Sequence, residues 1–315
     1  MNGHILIPMV DEVASATAVQ RVIEQVSTVY ARWNRATSVE QMRRDWDELF
    51  GSQVIAAHVQ EVSANGVVAA WVSAPGTATD RTLLYFHGGG FQVGSRRSHL
   101  DLMVHLSAAA NCRVLAVEYR MAPEHRFPAA LEDACQAYEW LLEQNIDSQK
   151  IAVAGDSAGG GLALSVLIKQ RDRGRPLPAS VAVLSAWTDL SASGESYQSR
   201  SAADPIHQRR MIIAMATNYL GAEVNPRAPA VSPLYADLHG LPPILLQVGD
   251  RETVLDDSRY FADKARASQV SVRLEVYAGM IHVFQQFPNQ LPEARIAIES
   301  IGDFLHSNWR HELLL

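Results

Sequence analysis

The stretch Lys150–Gln170, KIAVAGDSAGGGLALSVLIKQ, opens like a buried strand and closes like a helix, with small residues around an Asp and a Ser between them. Lys150 to Ala154 is a β-type run and Leu162 to Gln170 can be helical. The centre, Gly155-Asp156-Ser157-Ala158-Gly159, fits G-x-S-x-G. In that pattern a serine sits on a sharp strand-to-helix turn and projects its hydroxyl at the carboxyl edge of a sheet. Side chains two residues to either side of such a strained turn would collide, which explains the glycines. By average composition the pattern arises by chance about 0.1 times in a chain this long, so the flanking strand and helix carry the reading.

Working outward, "RTLLYFHGGG", "CRVLAVEYR", "VAVLSAW", "PILLQVGD" and "SVRLEVYAG" are short, nearly continuous apolar runs. Helix-like segments such as Pro128 to Glu143 and Asp256 to Ala267 separate most of them. Strands buried on both faces read this way, which predicts an α/β fold with a mostly parallel sheet flanked by helices. Before them, "QVIAAHVQEV" and "GVVAAWVSA" are joined by "SANG", a hairpin signal that would open the sheet with antiparallel strands.

Ahead of any strand signal, Val19, Val22, Ile23, Val26, Tyr30 and Trp33 form one helical stripe between about Ala14 and Trp33. Ser38 with Gln41 is a capping-box pattern that starts a second helix carrying Met42, Trp46, Leu49 and Phe50 on one face. Between Trp187 and Leu241 lie roughly fifty residues with a helical stretch, His207 to Leu220, and no clear strand, an insertion long enough to be a lid. The expected organisation is an N-terminal helical cap segment, 1–53, and a catalytic domain, 54–315, with a cap insertion at about 190–225.

The 315 residues carry a net charge of -7 with a pI near 5.9, which supplies no basic field for nucleic acid or an anionic membrane. The helix from Ala14 to Trp33 has too few cations on its polar face to be a basic interfacial helix, so no stable membrane association is expected. The two cysteines, Cys112 and Cys135, have no metal-ligand spacing and read as reduced, buried thiols. The start MNGHILIPMVDE lacks the charged opening and apolar length of a secretory signal, which makes a cytoplasmic location the expectation.

A serine hydroxyl is a weak nucleophile unless a base, an orienting acid and an oxyanion site accompany it. His87-Gly88-Gly89-Gly90 follows the run "TLLYF" and offers backbone N–H groups, each able to stabilise a growing oxyanion by about 3 kcal/mol. With this chain's His and Gly frequencies HGGG arises by chance about 0.002 times, so it is the stronger signal. Gly88 and Gly89, with the N–H of Ala158, are the expected donors. Among 11 histidines, His282 follows the last strand-like run and a short loop, which puts it at the same sheet edge as Ser157. His87 belongs to the glycine loop, and His125 has no nucleophile signal near it. For the acid, "PILLQVGDRETVLDDS" offers Asp250, Glu252, Asp256 and Asp257, and any carboxylate could orient the imidazole.

Together these residues resemble the hormone-sensitive-lipase-like branch of the α/β-hydrolases, the bacterial family IV carboxylesterases. The matching elements are HGGG at 87–90, "YRMAPEHRFPAALED" at 119–133, "GDSAGG" at 155–160, "SPLYADLHGLPPILLQVGDRE" at 232–252 and "IHVF" at 281–284. They are collinear over about Val54 to His306. The resemblance implies Ser157 as nucleophile, His282 as base, and Gly88, Gly89 and Ala158 as the oxyanion hole. Its D-x-L-x-D acid frame falls on Glu252-Thr253-Val254-Leu255-Asp256, so Glu252 is the implied acid, with Asp256 a second candidate because Glu replaces the more usual Asp. It further implies hydrolysis of short- to medium-chain esters without cofactor or metal, a helical cap, and often a homodimer through the last strand and the helix after it. The same groups could cut amides or carbamates or transfer an acyl group. Plant gibberellin receptors are similar non-catalytic binders that have lost the catalytic His, whereas His282 is present here.

Overall fold

The computed structural model describes residues 4–34, 36–51 and 55–309. The chain opens with β1 (His4–Ile7), α1 (Glu12–Tyr30) and α2 (Val39–Phe50). Asp11 caps α1 by accepting the N–H groups of Val13 and Ala14. Ser38 caps α2 through the Gln41 N–H at 3.2 Å, as the sequence pattern predicts. In place of the reciprocal half of the capping box, the Gln41 side-chain oxygen accepts from Arg44 at 2.7 Å, while its amide nitrogen donates to Asp45 at 2.6 Å.

The hairpin β2 (His58–Ala64) and β3 (Val67–Ser73) follows, turning at Asn65-Gly66, both with positive φ as a tight right-twisted turn requires. Then come β4 (Thr82–Phe86), α3 (Leu100–Ala110), β5 (Arg113–Val117), α4 (Ala129–Glu143), β6 (Ile151–Asp156), α5 (Ser157–Asp172) and β7 (Ser180–Leu184). After β7 the chain forms α6 (Ser196–Ser199) and α7 (Arg209–Leu220) before β8 (Ile244–Gly249), α8 (Leu255–Ala267), β9 (Val272–Tyr277) and α9 (Pro292–Asn308).

The strands form one sheet in the order β1-β9-β8-β7-β6-β4-β5-β3-β2. Pairing is antiparallel at the hairpin and at β3–β5, and parallel elsewhere. Side chains alternate between two cores along each central strand. Leu84 and Phe86 of β4 pack with α4, α5 and α8, whereas Leu83 and Tyr85 face α3 and α9. Burying each such side chain contributes about 1.5–3 kcal/mol, so the double covering explains why these runs are apolar throughout. Cys112 and Cys135 are free and buried.

One element of the N-terminal region departs from its helical reading. His4–Ile7 is a strand, pairing parallel to β9 with His4 opposite Leu274 and Ile7 opposite Tyr277. The outer side of β9 is therefore covered by β1. Helix α1 packs on the segment after β9, its Val19, Val22 and Val26 meeting Ile281, Phe284 and Phe287.

Candidate active site

At the junction of β6 and α5, Ser157 takes φ +51°, a left-handed conformation that few non-glycine residues adopt. The turn is close to the neighbouring strand. A Cβ at Gly159 would collide with the carbonyl oxygens of Phe86 and His87, and one at Gly155 with those of Gly159 and Phe86. Small residues are thus demanded by backbone approach.

The carboxyl ends of β8 and β9 supply the rest. His282 Nε2 lies 2.9 Å from Ser157 Oγ, and its Nδ1 lies 2.8 Å from Glu252 Oε2. With Nδ1–H donating to the carboxylate, Nε2 is left to accept from the serine hydroxyl. Glu252 is wholly buried. Its other oxygen accepts from the Ser185 hydroxyl at 2.8 Å and from the Gly249 N–H, and Ser185 Oγ in turn accepts the Val283 N–H at 3.1 Å. Ser185 therefore ties the acid to the loop that carries His282.

The other three acids are engaged elsewhere. Asp256 accepts the Ser196 N–H at 2.7 Å and lies 3.7 Å from the Arg259 guanidinium. Asp250 accepts the Gly279 N–H at 2.8 Å, and Asp257 accepts those of Thr188 and Asp189. Of the four candidates, Glu252 is the carboxylate hydrogen-bonded to His282. Burial alone would depress the His282 pKa, but the hydrogen bond and charge of Glu252, with the charges of Asp204 and Asp156, outweigh it and hold the imidazole above its ordinary value.

The glycine loop is tied to the elbow that carries Ser157. The Gly88 N–H donates to Asp156 Oδ1 at 2.9 Å, and Gly88 does not line the cavity at Ser157. Gly89 and Gly90, at φ +116° and +62°, do line that cavity. Ala158 lies in the first turn of α5, where a helix leaves N–H groups without internal acceptors. Asp156 also accepts from the Tyr85 hydroxyl at 2.7 Å. Burial would raise this carboxyl, yet His99 and Tyr85 outweigh it and keep its pKa low. Asp156 is thus the anchor of the glycine loop. His87 stacks on Tyr119 with ring centroids 4.4 Å apart and is held at its carbonyl by the Tyr119 hydroxyl at 2.7 Å.

Three further residues had no signal in the sequence. Besides Ser185, they are Asp204 and His207, on the segment leading into α7. One Asp204 oxygen accepts the Ile206 and His207 N–H groups at 2.9 Å each; the other accepts from Thr253, N–H at 2.8 Å and hydroxyl at 3.0 Å. The insertion is thereby fastened beside Glu252. The His207 ring stands nearly perpendicular to that of His282, centroids 4.3 Å apart. Burial, with His282 adding to it, pushes the His207 pKa down to about 3, so this ring is neutral near pH 7. Ser157 and His282 open on a cavity of about 870 Å³, also lined by Val26 and Trp46 from α1 and α2 and by Met215 from α7.

A serine on a strand-to-helix elbow, a histidine after the last strand and an acid after the one before it define the α/β-hydrolase arrangement. The profile of a family described by its α/β hydrolase fold matches residues 83–286. The chain is 43% identical over 246 residues to an acetyl-hydrolase of Streptomyces hygroscopicus, covering 78% of this chain and 82% of that protein. It is 34% identical over 249 residues to an esterase of Acinetobacter venetianus, covering 79% and 82%. The crystal structure of an esterase from the bacterial hormone-sensitive lipase family superposes with a TM-score of 0.90 at 42% identity, over 93% of this chain and 99% of that one. The chain belongs to the α/β-hydrolases, within the hormone-sensitive-lipase-like family of carboxylic ester hydrolases. Among the described residues, no helix is long and apolar enough to cross a membrane.

Proposed function

We propose that the protein hydrolyses short- to medium-chain carboxylic esters through an acyl-serine intermediate. Ser157 Oγ attacks the ester carbonyl carbon while His282 Nε2 takes its proton, and Glu252 stabilises the imidazolium that results. The oxygen that becomes negative is met by N–H groups of the glycine loop and of Ala158. His282 then returns the proton to the departing alcohol and, in the second half, activates the water that frees the acid. Residues 1–53 and about 190–225 act as the cap over this site, and the enzyme works in the cytoplasm.

The observation that carries this reading is the continuous hydrogen-bonded line from Ser157 Oγ through His282 to Glu252, ending at an open cavity. The same line weighs against a non-catalytic binder, which has no need of an imidazole held between a serine and a buried carboxylate. The test is hydrolysis of p-nitrophenyl esters from acetate to octanoate by wild type, Ser157→Ala and His282→Ala. Each substitution is expected to lower kcat by about 10⁴-fold or more. Activity untouched by either would overturn the proposal.

A further inference from the structure

The cavity is far larger than a simple ester needs. Its volume, about 870 Å³, falls within the range of roughly 300–1,000 Å³ typical of sites for drug-sized ligands. One wall is a continuous run of aromatic rings from α1 and α2 down to the loop that bears His282. Ring centroids are 4.7 Å apart for Tyr30–Trp33, 6.3 Å for Trp33–Trp46, 4.9 Å for Trp46–Phe50 and 5.7 Å for Phe50–Phe287. All five side chains line the cavity that holds Ser157.

Charge is scarce along this lining. Among the described lining residues the charged ones are Asp156, committed to the glycine loop, and Arg210, which is exposed. A neutral apolar group is what such a wall accepts. Flat rings gain more against it than an alkyl chain of equal carbon count, because ring pairs attract beyond the area they bury and a rigid arene has fewer rotors to immobilise.

The position of the wall decides which half of the ester carries the arene. Phe287 follows His282 on the same loop, and Phe50 packs against it. The departing alcohol must lie on the His282 side, since it receives its proton from Nε2. We infer that the substrates are neutral esters of arene-bearing alcohols, with the arene stacked on the wall around Trp46 and Phe50. This rests on the ester-hydrolase reading above and names its substrate class.

The experiment compares 2-phenylethyl acetate with octyl acetate, whose alcohols have equal carbon number, and ethyl phenylacetate with ethyl octanoate, whose acyl groups do. For the first pair, kcat/KM is expected to favour the arene by about tenfold, the size of one or two ring contacts. The second pair should show no such preference. Trp46→Leu and Phe50→Leu should each lower the first ratio. Should either variant fail to fold, competitive inhibition of the wild type by 2-phenylethanol and by 1-octanol gives the same comparison, with the arene alcohol expected to bind more tightly. Hydrolysis of both acetates without arene preference overturns this inference and leaves the esterase reading standing; equal arene preference on the acyl side overturns the alcohol-side assignment. Failure to hydrolyse even ethyl acetate sinks both.

Discussion

His282 is held by Glu252, a carboxylate one methylene longer than an aspartate. Because Glu252 reaches the imidazole at 2.8 Å, Glu252→Gln is expected to lower kcat by about 10³–10⁴-fold. Asp256→Asn should cost less than about threefold, since Asp256 faces Ser196 and not His282. Kinetics of the two variants check this, and a larger loss at Asp256 would contradict it. The pH profile carries a second prediction. The base must be neutral to accept the serine proton, and its pKa is raised, so kcat/KM should fall with acidity through a value above about 6.5, the ordinary histidine value. Asp204→Asn removes one of the charges that raise it, so the acid limb should move to lower pH; an unmoved limb would contradict the electrostatic account. At this scale Ser157 and His282 stood out because each follows a strand, whereas Asp250, Glu252, Asp256 and Asp257 all follow the same strand and only the family resemblance singled out Glu252. Ser185, Asp204 and His207 did not, since their partners come from distant segments that only folding joins. Consecutive glycines look alike in sequence, and only the fold shows that the Gly88 N–H donates to Asp156.

The elbow between β6 and α5 makes a sharper demand than glycine's flexibility alone. Gly159→Ala would press a methyl group into the carbonyls of Phe86 and His87, and is expected to cost about 3 kcal/mol or more of stability. Gly174→Ala, at φ +66° with nothing within 4 Å of the added carbon, should cost only about 1 kcal/mol. Denaturant unfolding of both variants checks the contrast; equal losses would mean that close approach is not what fixes the glycine. The elements most legible from sequence were those with a strong local signal. The Asn65-Gly66 hairpin, the Ser38 helix cap and the buried parallel strands all declare themselves in this way. By contrast β1 is four residues long, and its place depends on pairing with β9 nearly the whole chain away.

For the molecule as a whole, α/β layering followed from the apolar runs, but the strand order did not, because it depends on where each crossover returns. The order also bears on assembly. Since β1 covers the outer side of β9, a homodimer built at this end of the sheet has to engage β1 or α9 rather than a bare last strand. Helices α1 and α2 packed on the loop after β9, and α7 fastened through Asp204 to the acid loop, place the cavity directly over Ser157. Everything proposed for that cavity depends on Ser157 forming a covalent acyl intermediate. The direct measurement is rapid-quench mass spectrometry of the enzyme turning over p-nitrophenyl butyrate, followed by peptide mapping. One butyryl group on the peptide containing Ser157, absent from Ser157→Ala, is the predicted result. Turnover with no acylated enzyme, or with the acyl group on another residue, would contradict the account.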